Sequence, residues 1–470
     1  MLHLIVEKEL RDIIGNMKFA VSFAVCSLLI LLAFYSGAAT YHTQAERYEA
    51  AKRENLKQLE GLTDWIAVRH NRIFLPPDPL TCLVSGVSND IERTTEIPGR
   101  GELLQDDSRY NEEPVFAVFR FLDLEFIFQI VLSLFAILFA YDAVNGEKER
   151  GTLRLTFANP VPRHTYVTGK LIGAFLALAV PLLIPILLGS LLVVLMGVPM
   201  STDNWTRLAL IIGAGFLYFS AFLTIAVAVS AMTVRSANSF LMLLVIWIFA
   251  VLIVPRTAIL IAGRAVDVPS IDEIGAKKAR LNQQLWTEGR EKMSTFKPAT
   301  TDDPQKMIGE FQKFMESIAD EREKRMDELS SRLNEERRNA QAVQQTLAFG
   351  IARLSPCASF SLAASKLAGT SLDLQERYRG EAKAYQQTYG KFILDKTGLN
   401  PGGGMVFRMR TENGEQPKPI DPQELPPFLY RPFSMSDVLP GALLDMGLLA
   451  LFCLLFFAAA HVAFTRYDLR

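Results

Sequence analysis

Apolar residues are gathered into six long runs at 19–39, 124–143, 171–196, 208–232, 240–262 and 438–464, divided by two long polar stretches and three short ones. Each run is long enough for the about 20 residues of helix that a hydrocarbon core of about 30 Å demands, because lipid offers unpaired backbone groups no partner. The pattern predicts an all-α polytopic membrane protein with six transmembrane helices. Pro181 and Pro185 interrupt the third run, which predicts one kinked or broken helix, since prolines are tolerated in spans. Residues 1–18 are amphipathic, and no Ala-x-Ala site follows the first run, Gly37-Ala38-Ala39 coming nearest. A retained span is therefore expected here and not a signal peptide.

The placement of Lys and Arg orients the spans, because short cytoplasmic loops are enriched in them. With the N-terminus inside, the cytoplasmic segments hold Lys8, Arg11 and Lys18, then Lys148, Arg150, Arg154, Arg163 and Lys170, then Arg235, then Arg466 and Arg470. The short loop 198–205 carries Asp203 and no basic residue. Both termini are then cytoplasmic. The long segments 40–123 and 263–437 fall outside, where long domains translocate largely regardless of charge.

In the first long segment, residues 41–62 read as a helix continuing out of the first span, ended by Pro76-Pro77-Asp78-Pro79 and followed by loop as far as Pro114. In the second, Met307, Phe311, Phe314, Ile318, Met326, Leu329 and Leu333 form one apolar stripe on a long charged helix. Continuous over 304–350, it would reach about 70 Å; a bend that packs it back on its neighbours is the expected outcome. Its stripe suits burial against other outer helices, or an arm that meets a partner or a second copy of the chain. A further helix is expected over 372–394. Pro401 to Gly404 and the Pro-rich stretch 417–432 would then form the return linker.

Composition adds constraints. The chain of 470 residues is 50% hydrophobic and 21% charged with net charge −1, so nothing points to nucleic acid. The five histidines are scattered and no Cys-x-x-Cys pair occurs, which gives no catalytic or metal-binding constellation. Met196 and Met200 with Cys26 or Cys453 are too sparse for a copper path. Cys82 and Cys357 are the two cysteines in the outer segments, and a disulfide between them would need Cα atoms within about 7 Å. No Gly-x-x-x-x-Gly-Lys-Ser/Thr motif is present, so energy from ATP must come through another chain.

The segment 144–170 has dense mixed charge, a small apolar stripe at Leu153 and Phe157, and a Pro-flanked stop. It suits a short helix docking on another protein, and equally an ordinary positively charged loop. Its run Glu147-x-Glu149-x-Gly151-Thr152-Leu153, then Asn159-Pro160-x-x-Arg163, then Gly169-Lys170 resembles the second cytoplasmic stretch of ABC-2-type transporter permeases. The resemblance is nearest to the multi-copper-enzyme-maturation branch, which includes the accessory permease of nitrous oxide reductase. It implies a bacterial inner-membrane exporter subunit that binds no cofactor itself. ATP and Mg would sit on a separate ABC ATPase subunit, and a second permease copy or a related permease would complete the pathway. Residues 2–17 would be an interfacial elbow helix, with Lys8, Arg11 and Lys18 near lipid head groups. Glu147, Glu149, Arg150, Gly151, Thr152, Leu153, Arg154, Pro160 and Arg163 would lie at or beside the coupling contact. The long outer segments depart from the compact family pattern, which keeps in view a second reading: a membrane-anchored scaffold or force transmitter gripping an extracytoplasmic protein.

Overall fold

A computed structural model of the protein describes residues 2–65, 68, 71–88, 91, 93–98, 104–106, 123–158, 160–297, 304–398 and 419–466. Of the loop expected as far as Pro114, residues 89–90, 92, 99–103 and 107–114 fall outside these residues, as do Pro401 to Gly404 and the motif residue Asn159.

Helix α1 (Leu2–Ile14) precedes α2 (Met17–Lys57), the first span, whose first turn is capped by Asn16 accepting from the Lys18 amide at 3.0 Å. The polar half of α2 rises beyond the apolar run without a break. Strand β1 (Asn71–Phe74), the short α3 (Pro79–Leu83), β2 (Thr94–Ile97) and β3 (Leu104–Asp106) follow. The second span, α4, is built from Leu124–Phe126, a π-helical stretch Ile127–Leu132 and Ser133–Ala140. Two short helices, α5 (Asn145–Glu149) and α6 (Thr152–Phe157), lead into the third span α7 (Arg163–Leu195), a continuous helix with both prolines inside it. The fourth span is α8 (Thr202–Met232), and the fifth, α9, joins Ser236–Trp247, a π-helical stretch Ile248–Ile253 and Val254–Ala265. Then come α10 (Ile271–Ser294), α11 (Pro304–Ala352), α12 (Pro356–Ala368), α13 (Asp373–Thr397) and the sixth span α14 (Met435–Thr465). The six candidate spans agree with the six apolar runs, and an even number leaves both termini on one side, called the terminal side below. The all-α expectation holds for the spans and for most of the far side, with one small sheet added.

That sheet is antiparallel in the order β1-β2-β3, with Asn71 opposite Ile97 and Thr94 opposite Asp106. It joins the two polar segments into one far-side domain: the Tyr378 hydroxyl of α13 donates to the carbonyls of Ile73 (3.2 Å) and Arg93 (3.3 Å). Trp65, Ile73, Ile97, Tyr378, Tyr385 and Tyr389 fill its core.

Beyond this domain, α10 and α11 pair as an antiparallel arm. Contrary to the expected bend, α11 is one helix of 49 residues, about 73 Å long. Its stripe is partly covered by Phe296, two residues past α10, which stacks on Phe314 (4.7 Å), and the two helices are further tied by Arg322 over Trp286 (4.3 Å) and Arg325 paired with Glu288. Near its base α11 packs along the end of α9, where Ala258, Ala352 and Ala358 interlock.

One element has no counterpart among the expected helices. After α11 the chain turns at Ser355 and returns as α12 inside the bundle, between α4, α8 and α14. Ser355 caps it by accepting from the Cys357 amide, and Gly369, at φ 72°, ends it. There the Gly369 and Thr370 amides close a Schellman motif on the carbonyls of Lys366 and Ser365. At its far-side end, Arg207 of α8 donates to the Leu367 carbonyl (2.7 Å); at the deep end, Phe360 stacks on Tyr218, also of α8. Arg207 and Tyr218 are separated by about 16 Å along the helix, so α12 is a re-entrant helix that stops within the bundle. Such backbone is tolerated at membrane depth where protein surrounds it. The two π-helical stretches face this region, and their loosened carbonyls find side-chain donors: Tyr218 reaches Gln129 at 2.9 Å, and Ser355 reaches Ala250.

The structure does not join Cys82 and Cys357 in the disulfide that their placement in the two outer segments left possible. Cys357 is buried at the deep end of α12, while Cys82 lies in α3 beside Gln44 of α2 (3.8 Å). The re-entrant turn carries Cys357 into the bundle and away from the polar surroundings in which the sequence places it.

Candidate functional site

On the terminal side, the segment 144–170 folds into a clamp whose consecutive charges each take a different helix. The Glu147 carboxylate is buried, 3% exposed, and is met by three donors: Lys8 of α1 at 2.7 Å, Lys170 of α7 at 2.9 Å and the Tyr166 hydroxyl at 2.7 Å. Lys170, also buried, reaches Glu9 of α1 at 2.6 Å. Burial pushes the Glu9 carboxyl above its usual range, against the opposing pull of Lys170. Two carboxylates and two ammonium groups thus close on one another, which makes their removal from water tolerable.

Close helix approach makes the network reachable. A Cβ at Gly169 would stand 2.8 Å from Ile5 Cγ2, and one at Gly173 would stand 2.6 Å from Glu9 Cβ. The two glycines lie one turn apart and let α1 settle against α7, as small residues do wherever membrane helices touch.

The next two residues cap helix ends. Lys148 Nζ donates to the carbonyls of Ala231 (2.6 Å) and Thr233 (3.3 Å) at the end of α8. Glu149 accepts from the amide (2.8 Å) and hydroxyl (2.7 Å) of Ser236 at the start of α9. A cation at a helix C-terminus and an anion at an N-terminus both match the helix dipole. The buried Ser230 hydroxyl accepts from the amides of Val144 (3.0 Å) and Asn145 (3.1 Å), fixing the start of α5 to α8.

Gly151 adopts φ 72° between α5 and α6, a left-handed turn that other residues pay for in strain. It swings α6 round so that Leu153 is buried and the Thr152 hydroxyl points back to the Glu147 carbonyl at 3.4 Å. Phe157 packs on Tyr166 and Phe464 (5.4 and 5.6 Å), and Arg163 donates to the last carbonyls of α14, Phe464 and Thr465. What α6 presents outward is different: Leu155, 71% exposed, and Arg154, while Arg150, Gly151 and Pro160 on either side of the helix are exposed as well.

The expected site residues therefore divide into two sets. Glu147, Glu149, Thr152, Leu153 and Arg163 face inward or brace neighbouring helices, while Arg150, Gly151, Arg154 and Pro160 stay on the surface. Sequence reasoning passed over Leu155, whose alternation with Leu153 was its available signal, and also Glu9 and Tyr166. Of the elbow residues, Lys8 joins the network, Arg11 pairs with Glu7 of its own helix at 3.0 Å, and Lys18 is exposed.

Six spans, an amphipathic helix bound to the third span by buried ion pairs, and a short exposed helix on the terminal side define a polytopic helical membrane protein. The sequence matches the ABC-2 family transporter protein over residues 3–469. The chain belongs to that family, and so is a permease component of an ABC transporter and not itself the ATPase. Comparison with curated proteins finds no match.

Proposed function

We propose that this chain is the permease subunit of an exporter in which a separate ATPase subunit, carrying ATP and Mg, docks on α6 and drives rearrangement of the spans. The observation that carries the reading is the two-sidedness of the clamp. Its outer surface offers an exposed apolar side chain, Leu155, next in sequence to the exposed Arg154, a combination suited to an anchor in a groove with a polar rim. Its inner surface grips α1, α7, α8 and α9 through Glu147, Lys148 and Glu149. A push on α6 would thus reach four helices at once. In this reading the terminal side is cytoplasmic, the membrane is the bacterial inner membrane, and α1 is the elbow helix, its exposed Leu2, Leu4 and Ile14 meeting lipid. The spacing of Glu147, Gly151 and Arg163 supports a place in the multi-copper-enzyme-maturation branch. Two permeases, identical or related, would complete the pathway.

The length of α11 favours a second output of the same engine: movement of the arm against a protein on the outer face, in place of or beside substrate export.

The deciding experiment pairs the permease with its ATPase in lipid nanodiscs. Leu155→Asp is expected to lower permease-stimulated ATP hydrolysis at least about tenfold, a loss of about 1.4 kcal/mol of coupling, while the permease keeps its unfolding temperature. Unchanged turnover would overturn the docking role of α6.

A further inference from the structure

A second set of charges, centred on one buried carboxylate, lies toward the far side of the bundle. Asp445 of α14 is fully buried and accepts from Arg353 Nε at 2.6 Å, Arg353 Nη2 at 3.3 Å and Lys366 Nζ at 3.3 Å. Lys366 also donates to the Gly441 carbonyl at 3.3 Å. Arg353 directly follows the long arm helix α11, and Lys366 lies in the last turns of the re-entrant α12. One carboxylate on the sixth span therefore holds both limbs of the hairpin at the base of the arm.

Charges at this depth are costly, and apolar side chains of similar size would hold two helices together at least as well. What a forked guanidinium on a carboxylate adds is orientation: apolar ridges can slide past one another, whereas two parallel hydrogen bonds fix an angle. Next to the clasp lies a cavity of about 560 Å³, lined by Gln345 and Phe349 of α11, Ser361 and Lys366 of α12, and Asp437 and Gly441 of α14. Close-packed interiors resist small displacements; here there is room for the base of the arm to swing.

We propose that Asp445 is a positioning residue that makes the arm follow α14, so that a change in the tilt of the sixth span becomes a displacement of the arm tip. A tilt of about 5° over a lever of about 73 Å moves the tip by about 6 Å. The inference concerns how the arm moves and does not depend on what drives the span, so it is tested without the ATPase.

The test is a distance measurement by double electron–electron resonance on the full chain in lipid nanodiscs. Its native cysteines are replaced and spin labels are placed at Ser331→Cys on the arm and Leu454→Cys on α14. A second pair, Leu187→Cys on α7 with Leu454→Cys, reports on the bundle alone. The starting protein is expected to give one narrow distance distribution for each pair. Asp445→Asn should widen the arm distribution by about twofold or more and leave the bundle pair unchanged, and Asp445→Glu should restore the narrow form. Should the Asn variant fail to fold, the combined Arg353→Met, Lys366→Met and Asp445→Leu chain decides, because exchanging a buried ionic cluster for apolar groups often preserves stability. A folded combined variant whose arm distribution superimposes on that of the starting protein would overturn the proposal, and so would equal widening of both pairs, which would mark Asp445 as a packing residue only.

Discussion

The carboxylate of Glu147 lies 2.9 Å from the ammonium of Lys170, with both side chains almost wholly buried. Lys8 reaches the same carboxylate at 2.7 Å from a half-exposed position. The two pairs differ in worth, because solvent screens the exposed one and the buried one has no substitute for its partner. Glu147→Ala is expected to cost about 3 to 5 kcal/mol and Lys8→Ala under about 1 kcal/mol. Thermal unfolding in detergent, followed by tryptophan fluorescence, measures both; equal losses would place the weight of the network elsewhere.

Contact between α1 and α7 has no slack at Gly173, where a methyl group would meet Glu9 Cβ at 2.6 Å. Gly173→Ala should destabilise by about 1 to 3 kcal/mol, as overpacking does, and should expose α1 to limited proteolysis. Gly213→Ala, at a glycine with nothing within 4 Å of the added carbon, is the control and should leave α1 protected.

Seating of α1 should also depend on pH. Burial raises the Glu9 carboxyl above its ordinary 4.5, so the folded protein holds that proton more tightly than the unfolded chain. The contribution is fully present below about 4.5 and is lost as pH rises through the raised value. Hydrogen exchange of the α1 amides, corrected for intrinsic rates, should therefore speed up as pH climbs through this window. Glu9→Gln should flatten that dependence, and an unflattened profile would assign it to another group.

Thiol chemistry separates the two cysteines of the polar segments. Cys357 is buried and Cys82 half-buried, and no disulfide joins them. Maleimide should modify Cys82 in the folded protein and reach Cys357 only after denaturation, and the intact mass should be the same with and without reductant. A loss of two mass units without reductant, traced to a peptide joining the pair, would restore the disulfide.

The spans were legible because lipid imposes a one-dimensional rule: about 20 apolar residues in a row can be counted without knowing any neighbour. The re-entrant helix α12 escaped that count at 13 residues, although its run of Cys357, Ala358, Phe360, Leu362, Ala363, Ala364 and Leu367 was apolar. Strands of three or four residues carried too little alternation to announce the sheet. In the terminal-side clamp the motif residues were found, but not the way they face. Glu147 turns inward because Lys8 and Lys170 converge on it from two other helices; Lys170 belongs to the motif, but its spacing from Glu147 does not report the contact. Leu153 and Leu155 lie on opposite faces of α6 by helix geometry, but which of them turns inward follows from the left-handed turn at Gly151, which the presence of glycine permits but does not dictate.

The order of Glu147, Lys148 and Glu149 works as a polarity code. An anion meets the cations of α1 and α7, a cation meets the carbonyl end of α8, and an anion meets the amide end of α9. A segment of the same composition and net charge, with Lys148 and Glu149 exchanged, would set a carboxylate against carbonyls and an ammonium against amides. Both junctions would turn repulsive, though total charge and hydropathy were unchanged. Amino-acid content alone is therefore a poor guide to which variants of this loop can fold: the direction in which each neighbouring helix runs decides which permutation is tolerated.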